Sequence, residues 1–327
     1  MPELRIDPLT GERVIVAAER ATRPGGELRA DPAPPLDPAA DPFAQGHEDR
    51  TPPEVFALRP DGGGPDAPGW TVRVVPNLYP ALAPDAAEPP AEANRDLFGA
   101  AAARGGHEVN INGPESVTTL LELGPEQLAT AMEVWRMRMR AHPEAAYVHV
   151  IVNERREAGA SLPHTHAQLY ALPFVPAAVA RESERFGAHA TRTMGQNLLG
   201  DLVQDEVRRR ERLIAIDDEA VLLAPYGARL PYQLMIAPRR PRARFEDDGP
   251  LGAALLHDAL GRLARRLGAS PPLNLWVRTA PQGAEYYCWR IDVLPRLTQL
   301  AGLEVGTGVH LVVVAPESAA QRLRDAA

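Results

Sequence analysis

Two segments of this chain close in nearly the same way, QLYALP at 168–173 and RIDVLP at 290–295, and what precedes each is alike. Each is reached through strand-like runs, one amphipathic helix, a strand ending near Asn or Arg, and a loop. In the first half the strands are WTVRVVPN, HEVNI, AYVHVIVNE and HTHAQLYALP. The helix there runs from Pro125 to about Ala141, with Leu128, Met132, Trp135 and Met139 at helical spacing. In the second half the strands are LIAIDD, AVLLAPY, YQLMIAP, LNLWVRTA and YYCWRIDVLP, with one helix from Leu251 to Leu267 and another from Pro316 to Arg324. A long helical region over about 176–213 joins the halves, and residues 24–70, rich in Pro, Gly, Asp and Ala, read as largely loop. The repetition predicts an α+β chain made of a duplicated unit, 1–175 and then 176–327 with the helical connector; two coincidentally similar strands would leave the same trace. Matching the closing strands sets Tyr286 opposite His164 and Cys288 opposite His166, so that only the first copy carries the histidines.

The chemistry open to the chain is narrowed by what it lacks. All 35 Lys+Arg residues are arginine, which excludes a Schiff-base lysine and a lysine-bearing phosphate loop. Any phosphate must be held by Arg, by His or by backbone N–H groups. One cysteine, Cys288, excludes an internal disulfide and a multi-cysteine zinc ribbon. A net charge of −8 and short arginine clusters at 208–212 and 239–244 argue against nucleic acid as a partner. No run approaches the length of a membrane span, and the start has no secretory character, so no membrane partner and a cytoplasmic location are expected.

His164-Thr165-His166-Ala167-Gln168 is the stretch that points to chemistry. On an extended backbone alternate side chains share a face, so His164, His166 and Gln168 would project together. That geometry suits half a metal site, a nucleophile with a partner, or a polar strand face. With 9 His in 327 residues, a His-x-His pair arises by chance in roughly one such chain in four, so the pair alone is weak.

Together with Asn153 and Ala158-Gly159-Ala160-Ser161 before it, the stretch resembles the active-site segment of galactose-1-phosphate uridylyltransferases, in the histidine-triad superfamily. The blocks LRIDPLTGERVIVAAERATRP, PFAQGHEDRTPPEV, VRVVPNLYPAL, GGHEVNI, PYGARLPYQLMIAPRR, LPRLTQLAG and EVGTG extend the resemblance over nearly the whole chain. It implies two fused histidine-triad-like units, each a mostly antiparallel sheet with packed helices, and a homodimer. It also implies double displacement on a nucleotide sugar of UDP or ADP type. His166 would attack the α-phosphorus, sugar 1-phosphate would leave, and a second sugar 1-phosphate would accept the nucleotidyl group. Catalysis would rest on His166, Gln168 and Ser161, and substrate binding on Asn153, Gly159, Arg20, Arg23, Asn77 and Tyr79. Hydrolytic members of the superfamily carry a third histidine where Gln168 stands. A carboxamide can bond a phosphoryl oxygen but does not readily carry a proton to water, which favours transfer. A nucleotide-sugar phosphorylase using inorganic phosphate and a catalytically inactive nucleotide-binding protein are the competing readings.

The sequence departs from the family at its metals. Asp41-Pro42-Phe43-Ala44 stands where many members carry Cys-x-x-Cys, Ser116 where a later histidine would be, and of that zinc set only His164 remains. Of a second site Glu182 remains, but its late histidine pair reads Cys288-Trp289-Arg290. A structural zinc needs four good ligands. A protein without cofactor or metal is therefore expected, with a site from Asp41, His47 or Glu48 as the exception to look for. The segment after Gly308 is apolar where hexose-reading relatives would offer polar contacts, which leaves base and sugar open.

Overall fold

The computed structural model describes residues 1–22, 28–90 and 97–327. Along the chain come β1 (Glu3–Ile6), β2 (Arg13–Val16), β3 (Phe56–Leu58), β4 (Val72–Pro76), β5 (Gly106–Ile111), α1 (Gly124–Arg140), β6 (Tyr147–Glu154) and β7 (His166–Leu172). Then follow α2 (Ala177–Thr193), α3 (Leu198–Arg209), β8 (Leu213–Ile216), β9 (Ala220–Leu223), β10 (Leu234–Pro238), α4 (Ala253–Leu267), β11 (Leu273–Arg278) and β12 (Arg290–Pro295). The chain closes with α5 (Gly302–Thr307), β13 (His310–Val312) and α6 (Pro316–Arg324).

One antiparallel sheet of ten strands runs in the order β3-β4-β5-β7-β6-β11-β12-β10-β9-β8. Read inward from either edge, the order repeats: the half's first three strands, then its fifth, then its fourth. The two fourth strands, β6 and β11, pair at the centre. A smaller sheet, β1-β2-β13, sets β13 parallel to β2 and so brings the two ends of the chain together.

Period-two alternation gives the large sheet two different faces. Val148, Val150 and Val152 of β6, Ala167, Leu169 and Ala171 of β7, and Leu273, Leu275 and Val277 of β11 point to one side. There they pack in one core with Leu128, Met132, Trp135 and Met139 of α1 and with Leu256 and Leu263 of α4. The other face carries His149 and Asn153, His166, Gln168 and Tyr170, Asn274 and Arg278, and Arg290 and Asp292. A one-residue slip would bury these polar groups under the helices, so alternation sets the register. Burial of each large apolar side chain contributes about 1.5–3 kcal/mol.

Three expectations about the elements need correction. The helical region over 176–213 is two helices. Met194 and Gly195 take left-handed conformations (φ 57° and 102°), and Asn197 then caps α3 by accepting from Gly200 N at 3.0 Å. The late strand begins at Arg290 rather than Tyr286, because the residues before it are held elsewhere: Tyr287 donates its hydroxyl to Glu182 and Trp289 N–H donates to the Arg242 carbonyl. Likewise β7 begins at His166. Thr165 N–H donates to the Val117 carbonyl at 2.8 Å, which leaves His164 outside the ladder.

Glu154 ends β6 at the centre of the sheet and is buried, its Oε1 accepting from Leu120 N at 2.6 Å. Burial first and the nearby Glu122 second push its carboxyl up to about 8, against the Leu120 bond that lowers it. Between the ordinary 4.5 and about 8 the unfolded chain loses this proton while the folded chain keeps it, so stability falls as pH rises through that window. Glu154→Gln keeps the acceptor and removes the titration. We expect it to stabilise the protein at about pH 8 by on the order of 1–3 kcal/mol, with little effect below about 4.5. Thermal melts that shift equally at both pH values would contradict this.

Candidate active site

His166 opens β7 and is buried, its ring in a T-shaped contact with Phe43 (centroids 5.3 Å apart). Its Nδ1 lies 2.7 Å from the His164 carbonyl oxygen. A carbonyl can only accept, so Nδ1 carries the hydrogen and Nε2 keeps its lone pair. Burial draws the pKa of this imidazole below the ordinary histidine value, with the His164 carbonyl bond and Asp41 opposing. At neutral pH the ring is therefore neutral, as a nitrogen nucleophile must be.

Asn153 lies on the neighbouring strand β6, one position beyond the paired Val152 and Ala167, and Gln168 is paired with Ile151. Asn153 and Gln168 thus share the sheet face with His166, but each is also tied to a residue that sequence reasoning passed over. Asn153 Oδ1 accepts from Asn274 Nδ2 at 2.7 Å. Gln168 Oε1 accepts from the Tyr170 hydroxyl at 2.9 Å and lies 3.0 Å from His107 Nε2. The signal for Tyr170 and His107 was the period-two pattern of HAQLYAL and GHEVNI. The signal for Asn274 was too weak to use, because it depends on which strand pairs across the centre.

The other expected residues are spread around this face. Asn77 Nδ2 sits 3.2 Å from His107 Nε2, and its Oδ1 accepts from Tyr79 N, whose own side chain is 85% exposed. Gly159 takes φ +92°, and a Cβ placed there would have Asn153 Nδ2 as its nearest neighbour at 4.0 Å, so the left-handed turn rather than crowding calls for glycine. Ser161 is exposed and lines a groove of about 550 Å³ with Thr118, Arg155, Arg156 and Pro163. Arg20 is exposed on the turn Ala18–Thr22, just after β2 of the smaller sheet, and Arg23 lies outside the described residues.

At the first metal position hydrogen bonds take up the donors. His164 Nδ1 meets Asp41 Oδ2 at 2.6 Å, Ser116 donates to the same oxygen at 2.7 Å, and Phe43 N donates to Oδ1 at 3.0 Å. His164 Nε2 donates to the Gly113 carbonyl at 3.0 Å, so the ring has no lone pair turned to open space. Burial pushes Asp41 up, but the His164 and Ser116 bonds outweigh it and hold its carboxyl below the ordinary range. Of the expected exceptions, His47 Nδ1 meets the Asp41 carbonyl at 2.6 Å, and Glu48 accepts from Trp70 and Gly46.

At the second position the Arg290 guanidinium makes a two-point pair with Glu182 (3.0 and 3.1 Å) and reaches Asp292. Burial pushes Glu182 up, and the charges of Arg290 and Arg278 outweigh it, leaving its carboxyl lowered. Cys288, opposite His166 by sequence matching, is buried and burial raises its thiol to about 12, so it offers no thiolate. Among the described residues no three His, Cys, Asp or Glu side chains are grouped to hold a metal ion.

A neutral histidine lone pair beside two amide side chains suits attack at phosphorus, and comparison with known proteins gives this chemistry its class. The chain is a transferase enzyme. It belongs to the galactose-1-phosphate uridylyltransferase family: the model of that family's N-terminal domain matches residues 1–176. A second model, described as a domain of unknown function (DUF4921), matches 126–326. ADP-glucose phosphorylase of Arabidopsis thaliana is 29% identical over 99% of this chain and 93% of its own length. Galactose-1-phosphate uridylyltransferase of Rattus norvegicus is 27% identical over 98% of this chain and 86% of its own. The crystal structure of the Arabidopsis phosphorylase with bound ADP-glucose superposes with a TM-score of 0.81 at 28% identity, over 99% of this chain and 98% of that one.

The His166 ring is directly observable by nitrogen-edited NMR. We expect the Nδ1–H tautomer at neutral pH, with protonation only below the ordinary 6.5. A midpoint at or above that value, or an Nε2–H tautomer, would contradict the assignment.

Proposed function

We propose that the chain transfers a nucleoside monophosphate from a UDP- or ADP-type nucleotide sugar to a sugar 1-phosphate through a covalent intermediate on His166. The observation that carries this reading is the His166 Nδ1 bond to the His164 carbonyl, which leaves Nε2 as the free lone pair. Nε2 attacks the α-phosphorus, the bond to the bridging oxygen breaks, and sugar 1-phosphate departs with the electron pair. The ring keeps its proton at Nδ1, shared with the carbonyl. In the second step a phosphate oxygen of the acceptor attacks the same phosphorus and the N–P bond returns its electrons to Nε2. Gln168 and Asn153 donate to the phosphoryl oxygens, where charge builds up. Ser161 bonds a phosphate oxygen and Gly159 allows close backbone approach, Arg20 and Arg23 offer cations to the phosphates, and Asn77 and Tyr79 lie along the nucleoside. The likeness to ADP-glucose phosphorylase favours a second reading, in which inorganic phosphate is the acceptor and a nucleoside diphosphate the product.

The Asp41–Ser116–His164 bonds and the Glu182–Arg290 pair support a protein that works without metal, fixed protons and one guanidinium standing where metal charge would otherwise be. The repeated strand order supports two fused histidine-triad-like units, 1–175 and 176–327, of which the first keeps the nucleophile. The family resemblance extends the reading to a cytoplasmic homodimer; no described helix is long and apolar enough to cross a membrane.

Intact-mass measurement after incubation with UDP-glucose, and separately with ADP-glucose, tests the chemistry. A UMP or AMP adduct that disappears in His166→Gly is expected, and its absence across a panel of nucleotide sugars that bind would overturn the reading. Exchange between two sugar 1-phosphates marks the transferase; phosphate-dependent release of nucleoside diphosphate marks the phosphorylase. Metal removal has its own expected outcome. Chelator-treated protein should keep its rate to within about twofold, and stoichiometric zinc or iron by elemental analysis would refute the metal-free reading.

A further inference from the structure

Both carboxamides beside His166 have their oxygens engaged, and their nitrogens have no hydrogen-bond partner among the described residues. For Gln168 the polarity can be traced to a backbone group whose role is not adjustable. The Ala81 N–H donates to His107 Nδ1 at 3.1 Å, so that nitrogen carries a lone pair and, in the neutral ring, His107 Nε2 carries the hydrogen. Two groups lie near Nε2: Gln168 Oε1 at 3.0 Å and Asn77 Nδ2 at 3.2 Å. Asn77 is oriented by Tyr79 N, which donates to its Oδ1, so it presents a nitrogen with no lone pair to offer. The Nε2 hydrogen therefore goes to Gln168, whose facing atom must be the oxygen. Tyr170 adds a second donor to that oxygen and is stacked on the His107 ring (centroids 4.1 Å apart).

Asn153 is fixed by the same logic from the other side. Asn274 Nδ2 donates to the Ala158 carbonyl at 2.7 Å, and Arg296 donates to Asn274 Oδ1 at 3.2 Å, so the Asn274 amide has one allowed orientation. Its nitrogen faces Asn153 at 2.7 Å, which must answer with its oxygen. We propose that His107 and Tyr170, and separately Asn274, are positioning residues that lock the Gln168 and Asn153 amides with their NH₂ groups turned to the phosphoryl group on His166. A free amide rotates between two nearly isosteric orientations, one presenting a donor and the other an acceptor that repels a phosphoryl oxygen. Tying off both oxygens removes the wrong orientation before substrate arrives, so no reorganisation is needed as charge builds up.

The inference rests on the nucleotidyl-histidine reading, and the two fail differently. His107→Phe keeps the stacked ring and removes the donor; Tyr170→Phe keeps its ring and removes the hydroxyl. Single-turnover adduct formation, followed by intact mass at saturating nucleotide sugar, is expected to slow about tenfold in His107→Phe and less in Tyr170→Phe, with KM changed by under about twofold. His107→Gln, whose amide nitrogen can stand in for Nε2, should restore much of the rate. In a Gln168→Ala background neither substitution should cost more than about twofold further, because the group they orient is gone. Asn274→Ala should show the same dependence on Asn153. Equal losses with and without the Gln168 side chain would overturn the proposal, as would an unchanged rate in His107→Phe. If that variant does not fold, Tyr170→Phe decides by the same cycle. No adduct on the unsubstituted protein would instead defeat the underlying reading.

Discussion

The pairing of β6 with β11 at the centre of the large sheet is the contact on which the rest depends. It joins two five-stranded halves into one sheet with a common apolar face, so that α1 and α4 pack on a single core. It also sets Asn274 of the second half directly across from Asn153 of the first. The seam is dry enough to hold Glu154 protonated at neutral pH. A site carried by strands of one half thus takes part of its polarity from the other.

On the polar face the two halves of the sheet differ. In the second half, α2, α3 and Leu9 cover the strands, with Phe186, Leu199, Val203, Val221, Leu223 and Met235 forming a second apolar cluster. Arg290, Glu182 and Asp292 compensate one another beneath it, an arrangement that would be costly if any one charge were left alone. In the first half Asn153, Gln168 and Tyr170 remain partly accessible. Buried polar groups need partners, and here the partners also choose orientations. The carbonyl of His164, held by a residue whose own ring is clamped between Asp41 and Gly113, selects the His166 tautomer.

Much of this was legible in the sequence. Leu128, Met132, Trp135 and Met139 marked the buried side of α1, and alternation in AYVHVIVNE and HAQLYALP separated the core face from the site face. The shared QLYALP and RIDVLP endings lie on β7 and β12, which hold corresponding places in the strand order. The helix break at 194–195 was missed because Met194 is not a residue that announces a left-handed turn. The strand-like look of YYCW and HTH misled for a different reason. Local propensity there is overruled by tertiary hydrogen bonds to Glu182, Arg242 and Val117.

By itself the sequence determined which side chains are available for chemistry: the imidazole of His166, the carboxamides of Gln168 and Asn153, no lysine, and one cysteine. These are matters of composition and short-range order, and covalent connectivity is enough to state them. Only the tertiary structure decided how those groups are oriented. Whether an amide presents its nitrogen or its oxygen, and which imidazole nitrogen keeps its lone pair, depends on donors that lie far away along the chain. Ala81 and His107 act on Gln168, and Arg296 and Asn274 act on Asn153. Hydrogen-bond polarity passes from neighbour to neighbour in space, and the neighbours are set by folding.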